Sequence, residues 1–239
     1  VGSEMCIRDR LYTLVDRVYI GHIPGIGTDA LAGVGVTSSV IILISAFSAI
    51  VAGGGAPLAA IALGQGHRER AGKILGNGFV LLVLFAVVTS TVSYLFMKPI
   101  LTSIGASAHT LPYAVDYLSV YLLGTLFVEV AVGLNTFINC QGRPGVAMCS
   151  VIIGAVLNIA LDPLFIFTFG MGVKGAALAT ILSQACSAVW VLAFLISKRA
   201  SLQLERRYLR LDRRIVGATL ALGLSPFIMA STESLVGFV

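Results

Sequence analysis

Residues 144–169 read PGVAMCSVIIGAVLNIALDPLFIFTF, and Asp162 is the single charged residue among them. An apolar stretch of about 20 residues is long enough to cross the hydrocarbon core of a bilayer as a helix. A carboxylate at that depth costs roughly 2.5–3.5 kcal/mol even on lenient insertion scales, so it is usually retained for a function. The stretch therefore predicts a membrane-spanning helix with an acidic site inside it.

The polar groups next to Asp162 indicate what such a site binds. Asn158 precedes Asp162 by four residues, which places both side chains on one face of a helix. Pro163 has no N–H, so the carbonyl group of Ile159 loses its usual partner and becomes available as a further oxygen ligand. A carboxylate, an amide and a free carbonyl suit a proton or a small cation. The alternative is a buried polar cluster that only holds helices together.

The composition places the whole chain in a membrane. Hydrophobic residues make up 57% of its 239 residues and charged residues 11%, with a mean hydropathy of +0.97. Soluble domains contain about 25% charged residues. The net charge of +5 does not indicate nucleic acid, because the basic residues gather in a few loops rather than along one face. We predict an all-α, polytopic membrane helix bundle whose first partner is the lipid bilayer.

Apolar stretches predict seven spans. The first is a remnant at 11–20, preceded by an ill-fitting charged segment at 1–10 that we interpret as a non-native leader. The other six are expected near 30–64, 74–97, 113–139, 144–169, 172–197 and 215–239. In the second span, Gly53-Gly54-Gly55 followed by Pro57 predicts a kink or local unwinding. That break is either a gating hinge or an ordinary bend.

Basic residues predict the orientation of the spans, because cytoplasmic loops carry an excess of lysine and arginine. The loops after the even-numbered spans contain Arg68, Arg70, Lys73, Arg143, Lys198, Arg199, Arg206, Arg207, Arg210, Arg213 and Arg214. The opposite loops contain only Lys98 and Lys174. The first and seventh spans therefore start inside. The segment 198–214 is expected to be a basic cytoplasmic linker, either an interfacial helix or a solvated tether.

Enzyme motifs do not accompany these spans. The sequence contains no GxxxxGK[ST], HExxH or GxSxG motif, and the GxGxxA match at Gly25–Ala30 follows no predicted strand. Asp16 and Asp162 alone approach the pairing that an intramembrane hydrolase would need. We therefore predict no enzymatic activity and no cofactor.

Several stretches resemble the multidrug and toxic compound extrusion (MATE) family of transporters. They are 14–22 (LVDRVYIGH), 29–35 (DALAGVG), 57–66, 158–167 (NIALDPLFIF), 175–184 (GAALATILSQ) and 223–227 (GLSPF), the last nearest to the MepA-like branch. The resemblance covers residues 11–239. It implies an N-terminal six-helix lobe at 11–197, the linker 198–214, and the start of helix 7 at 215–239. The parent would be a twelve-helix transporter, whose C-terminal lobe this chain lacks.

The resemblance also implies a function, namely secondary active efflux of organic cations and drugs at the inner cell membrane. The transporter would be an antiporter driven by proton or sodium entry. Its cation-coupling residues would be Asp16, Asn158, Asp162 and Thr180, with sodium possible at the first three. Its substrate-binding residues would be Glu129 and Glu233, unless each only bonds to a neighbouring helix.

Two other functions stay open at this point. A lipid or polysaccharide flippase of the same superfamily is expected to line its cavity with cationic residues, whereas the predicted helix interiors here hold acids and almost no lysine or arginine. A non-transporting helical scaffold needs no acidic side chains at membrane depth. The acids therefore favour cationic substrates.

Overall fold

The protein is a bundle of long helices. It is a computed structural model that describes residues 16–23 and 27–236, with side chains in the last helix up to Thr232. The labelled helices are α1 at 16–21, α2 (Gly27–Gly64), α3 (Arg68–Leu95), α4 (Leu111–Cys140), α5 (Pro144–Thr168), α6 (Val173–Ile196) and α7 (Arg213–Val236). A short helix, Met97–Ser103, lies between α3 and α4. Helices α2 to α7 are each long and apolar enough to cross a membrane. The predicted all-α polytopic membrane fold is confirmed.

The helix boundaries agree with the predicted spans except at the start of α3. This helix begins at Arg68 rather than near residue 74, so Arg68, Arg70 and Lys73 lie on its first turns and not in a loop. Glu69 favours this extension, because its carboxylate lies in the first turn and 2.9 Å from the Lys73 ammonium, one turn away. The proposed leader at 1–10 and the start of the first span lie outside the described residues.

Helix α4 is the centre of the bundle and α7 lies at its edge. Within their apolar windows, 72% of α4 is buried but only 11% of α7. Small residues let the other helices approach α4 closely, as is usual in membranes. A methyl group added at Gly133 of α4 would lie 2.6 Å from the Leu82 side chain of α3. One added at Gly55 of α2 would lie 2.9 Å from the buried ring of Phe137.

The predicted irregularity in the second span takes the form of a π-helical turn, Val51–Gly55, inside a continuous α2. This turn forms the crossing with α7. A Cβ atom added at Gly54 would overlap the carbonyl oxygen of Thr219, and one added at Gly223 would overlap the carbonyl oxygen of Ile50. The two backbones are therefore in direct contact, which only glycine allows. A gating role for this turn stays a prediction.

The segment 198–212, which we call the connector strap, corrects both expectations for the linker. It is not an interfacial helix, because its one described helical piece is a 3-10 turn, Arg206–Tyr208. It is not a solvated tether either, since Leu202 is 1% exposed and Tyr208 is 8% exposed. Both side chains pack on the lobe, and Leu202 belongs to its hydrophobic core.

Asn77 of α3 fastens the end of the connector strap. Its amide nitrogen donates to the carbonyl oxygen of Arg210 at 3.2 Å, and its amide oxygen accepts the backbone N–H of Asp212 at 2.7 Å. Gly76 makes room for the strap, because a Cβ there would overlap the carbonyl oxygen of Tyr208. The start of α7 is thus fixed relative to α3.

The orientation can be tested by labelling. In a variant without native cysteines, Arg70→Cys and Arg207→Cys are expected to resist a membrane-impermeant maleimide applied from outside, since both positions lie on the basic side. Both are exposed, so permeabilising the cells should restore labelling. Lys98→Cys, exposed at the other end, is the control that should react from outside. Labelling of position 70 or 207 in intact cells would reverse the topology.

Candidate cation site

Asp16 lies at the centre of a buried polar cluster. It is 2% exposed and its carboxylate accepts hydrogen bonds from three other helices. Oδ2 accepts from the hydroxyl of Tyr117 on α4 at 2.9 Å and from the hydroxyl of Thr180 on α6 at 3.0 Å. Oδ1 accepts from the amide of Asn158 on α5 at 3.3 Å. All three donors are uncharged, so none of them neutralises the negative charge of the carboxylate.

Asn158 joins the second carboxylate to the first. Its amide nitrogen also donates to Oδ1 of Asp162 at 3.2 Å. Asp162 is fully buried, and its Oδ2 atom has no hydrogen-bond partner, nor does Oδ1 of Asn158. A buried acceptor left unpaired usually costs about 1–3 kcal/mol, and more when it is charged. These two orphaned oxygens, together with the Asp16 carboxylate, are a set of ligand atoms that suits a proton or a small cation.

Local backbone features explain how three helices converge here. Gly175 near the start of α6 lies against the end of α5, where an added Cβ would be 2.8 Å from the Phe165 backbone. Pro163 lies inside α5 and is followed by a π-helical turn, Leu164–Thr168. Ala176 and Ala179 on α6 are both 0% exposed, so no bulky side chain separates Thr180 from α1 and α5. The face of α6 that carries these small residues is therefore the face that holds the site.

Described basic side chains do not neutralise the cluster. The guanidinium of Arg17 follows Asp16 in sequence but is exposed, and it donates to the hydroxyl of Ser38 at 3.2 Å. Lys174 pairs instead with the half-exposed Asp116 at 3.3 Å. No ion pair among the described residues includes Asp16 or Asp162. A buried acid pair without a fixed counter-charge is suited to a mobile one.

The structure brings together all four residues expected to couple the cation: Asp16, Asn158, Asp162 and Thr180. It adds Tyr117, which sequence reasoning missed. Tyr117 is 4% exposed and stacks on Tyr121, with ring centroids 6.2 Å apart. Its one sequence signal was a tyrosine inside an apolar span, where a buried hydroxyl needs a partner. The identity of that partner, a carboxylate 101 residues earlier, could not be read from the spacing.

The two expected substrate-binding acids lie elsewhere. Glu129 is 1% exposed inside the lobe, about 18 Å along α4 from Tyr117. Glu233 lies on α7, but its side chain falls outside the described residues. The role of Glu129 and Glu233 in binding a substrate stays a prediction.

The donor set fits an alkali cation or a proton better than a transition metal. The described residues contain no group of three or more histidine, cysteine, aspartate or glutamate side chains placed to hold a metal ion. The cluster instead offers carboxylate, amide and hydroxyl oxygens, which hard cations prefer. The chemistry of these oxygens therefore permits sodium binding.

Comparison with known proteins agrees with this architecture. The family model MatE matches residues 7–164. The multidrug export protein MepA of Staphylococcus haemolyticus is 22% identical over 239 residues, covering 100% of this chain and 52% of that protein. An FAD transporter of Shewanella oneidensis is 28% identical over 191 residues, covering 78% of this chain and 40% of that protein.

A solved structure shares the fold over nearly the whole chain. The inward-facing conformation of a multidrug resistance MATE family transporter of the MOP superfamily matches with a TM-score of 0.89 and 27% identity, covering 95% of this chain and 51% of that one. The chain spans about half the length of the curated relatives it matches. Family model, relatives and fold agree, and the chain belongs to the MatE family.

Proposed function

We propose that this chain forms the cation-coupling lobe of a secondary transporter that exports organic cations and drugs in exchange for protons or sodium. The observation that carries the proposal is the pair of buried carboxylates, Asp16 and Asp162, whose hydrogen-bond donors among the described residues are all neutral. A cation entering the cluster would supply the missing positive charge. The relatives are transporters, and we propose no enzymatic activity and no cofactor here.

The geometry also suggests how a bound cation acts on the lobe. Asp16 lies on α1, whereas Asn158 and Asp162 lie on α5, and Thr180 lies on α6. A ligand shifts a conformational equilibrium only by binding one state more tightly than another. A cation shared between helices does so, because any movement of α1 away from α5 would separate its ligands. The cluster thus links cation occupancy to helix position.

The rest of the transport path is proposed to lie in a second lobe of the same protein. The matched relatives and structures are about twice as long as this chain. In such transporters the substrate crosses between two lobes that open alternately to the two sides. We place the protein in the inner cell membrane, with small organic cations as its transported partners.

An export assay in liposomes tests the proposal and separates the two coupling ions. The full-length transporter is reconstituted with a fluorescent organic cation and energised either by a sodium gradient at equal pH or by a pH gradient without sodium. Export under one gradient and not the other identifies the ion. Export under neither gradient would show that the cluster does not drive transport.

Glu233→Gln is expected to change which substrates are exported rather than whether coupling occurs. A carboxylate that faces the substrate gains most from a permanently charged compound, because the attraction is strongest where water is excluded. Export of an organic cation should therefore fall by about tenfold, close to 1.4 kcal/mol, while a zwitterionic compound is carried as before. Glu129→Gln is the parallel variant. Equal loss for both compounds would assign Glu233 to folding or coupling.

One relative suggests a second candidate substrate class. The Shewanella oneidensis protein is an FAD transporter and shares 28% identity over 191 residues with this chain. FAD is an anionic dinucleotide, so its export would require cationic groups along the path. Loading the same liposomes with FAD compares the two classes directly. Gradient-driven FAD export without export of the organic cation would favour this second candidate.

A further inference from the structure

Unpaired amide oxygens continue beyond the cation site, towards the end of the bundle that carries Arg143. Oε1 of Gln184 on α6 is buried without a hydrogen-bond partner, as is Oδ1 of Asn139 near the end of α4. The Gln184 residue is 4% exposed. Like the orphaned oxygen of Asn158, both atoms are acceptors. What each of them lacks is therefore a donor, such as a water molecule, or a cation.

Hydrogen bonds fix where these groups lie relative to one another. The hydroxyl of Ser187 on α6 donates to the carbonyl oxygen of Ser150 on α5 at 2.8 Å, and the hydroxyl of Ser150 donates to Oδ1 of Asn135 on α4 at 3.0 Å. Ser150 lies about 12 Å along α5 from Asn158, and Ser187 lies about 10 Å along α6 from Thr180. These two polar levels are therefore connected along one seam between α5 and α6.

Gln184 lies between the two levels. It follows Thr180 by four residues and precedes Ser187 by three, so all three side chains share one face of α6. At the level of Ser150 and Ser187, Asn139 follows Asn135 by four residues and continues the polar face about 6 Å further along α4. We call the series the amide lane: Asn158, Gln184, Asn135 and Asn139, with Ser150 and Ser187.

A purely structural role does not explain this series. Groups that only hold helices together satisfy each other, as Ser187 and Ser150 do, and buried acceptors without donors destabilise a fold. A leucine at position 184 is of similar size and would place no unpaired oxygen in this seam. Amide oxygens spaced along a buried path can instead replace part of the hydration shell of a small cation, or hold the waters that carry a proton.

We propose that the amide lane conducts the coupling cation between the Asp16–Asp162 cluster and the basic end of the bundle, with Gln184 as the intermediate ligand. The inference rests on the proposed function, since the lane has no task unless the cluster exchanges a cation. Gln184 acts on the rate at which the cluster is reached or emptied. The cluster itself determines how tightly the cation is held.

The test replaces Gln184 in the full-length transporter and measures rate and affinity separately. Gln184→Leu is expected to slow gradient-driven export of a fluorescent organic cation by about tenfold, a barrier higher by ~1.4 kcal/mol. Equilibrium binding of the driving ion, titrated in detergent with sodium chloride or by proton uptake, should stay within about twofold. The melting temperature should stay the same or rise, because an unpaired acceptor has been removed.

Two control variants make the result specific. Gln184→Asn keeps an amide oxygen and should retain most of the rate. Ser183→Ala removes the adjacent hydroxyl, which is also fully buried but donates within α6 to the carbonyl oxygen of Ala179 at 2.7 Å. It should export at the wild-type rate. Slow export by Ser183→Ala would mean that any change in this seam impairs transport, and would overturn the proposal.

The outcomes separate this inference from the function on which it rests. A wild-type rate in Gln184→Leu overturns the lane, and so does an equal loss of cation affinity, which would place Gln184 in the cluster itself. Neither result changes the assignment of the cluster. Wild-type export by Asp162→Asn would instead refute the proposed function, whatever Gln184→Leu does.

Discussion

Asp162→Asn is expected to abolish cation-driven export while leaving the protein folded. The asparagine keeps the size of the side chain and can still accept from Asn158, but it removes one of the two negative charges that a cation needs. Removal of an unpaired buried charge does not by itself destabilise a fold. Export in liposomes should fall at least about 100-fold, or ~2.7 kcal/mol, with the melting temperature of the purified protein unchanged or higher.

Neighbouring variants should grade the effect. Asp16→Asn is expected to match Asp162→Asn, since both remove a charge from the same cluster. Asn158→Ala removes two hydrogen bonds to the carboxylates and Thr180→Ala removes one, but neither variant removes a charge, so both should slow export only severalfold. Asp116→Asn is the control and should export at the wild-type rate, because this acid is half-exposed and already paired with Lys174. Normal export by Asp162→Asn would reduce the cluster to a contact between helices.

Gly54→Ala is expected to have the second largest effect, on stability as well as export. Its new methyl group would overlap the carbonyl oxygen of Thr219, so α2 and α7 must move apart at their crossing. Overpacking of this kind typically costs about 1–3 kcal/mol, and a backbone contact cannot be relieved by changing a rotamer. Thermal unfolding in detergent should show the loss, together with strongly reduced export in liposomes.

Gly217→Ala is the matched control for the crossing. Gly217 also lies on α7, but apart from its own helix backbone and chain neighbours no atom of the described residues lies within 4 Å of the position that its Cβ would occupy. Alanine is favoured over glycine in a helix by up to about 1 kcal/mol, so this variant should be neutral or slightly stabilising. If Gly54→Ala has the melting temperature and the export rate of the wild type, the protein does not need the close crossing of α2 and α7.

The sequence predicted half of the cation cluster from spacing alone. Asn158 and Asp162 are four residues apart on one helix, so local geometry was enough to place them together. Asp16 and Thr180 came only from the family resemblance, because nothing in their local sequence indicates which helices will be neighbours. Tyr117 was missed for the same reason. A contact between residues far apart in sequence depends on the packing of whole helices, which periodicity does not encode.

The burial of the connector strap also could not be predicted from the sequence. Its basic composition predicted a segment in contact with water or lipid headgroups, and its charged side chains are indeed largely exposed. What composition could not reveal is that Leu202 and Tyr208, spaced irregularly between those charges, are both buried against the lobe. Asn77 looked like any polar residue in the third span. Its role in fastening the strap depends on contacts with residues more than 130 positions later in the chain.

Fastening the connector strap removes the slack between the lobe and whatever follows α7. A free chain of this length could extend to roughly 50 Å, enough to let α7 dock on another copy of the protein. With Asn77 and Tyr208 holding its end, the first turn of α7 stays at a single position, and its local concentration at the α2 crossing is correspondingly high. Exchange of α7 between two molecules, the common hazard of a long hinge, is thereby disfavoured.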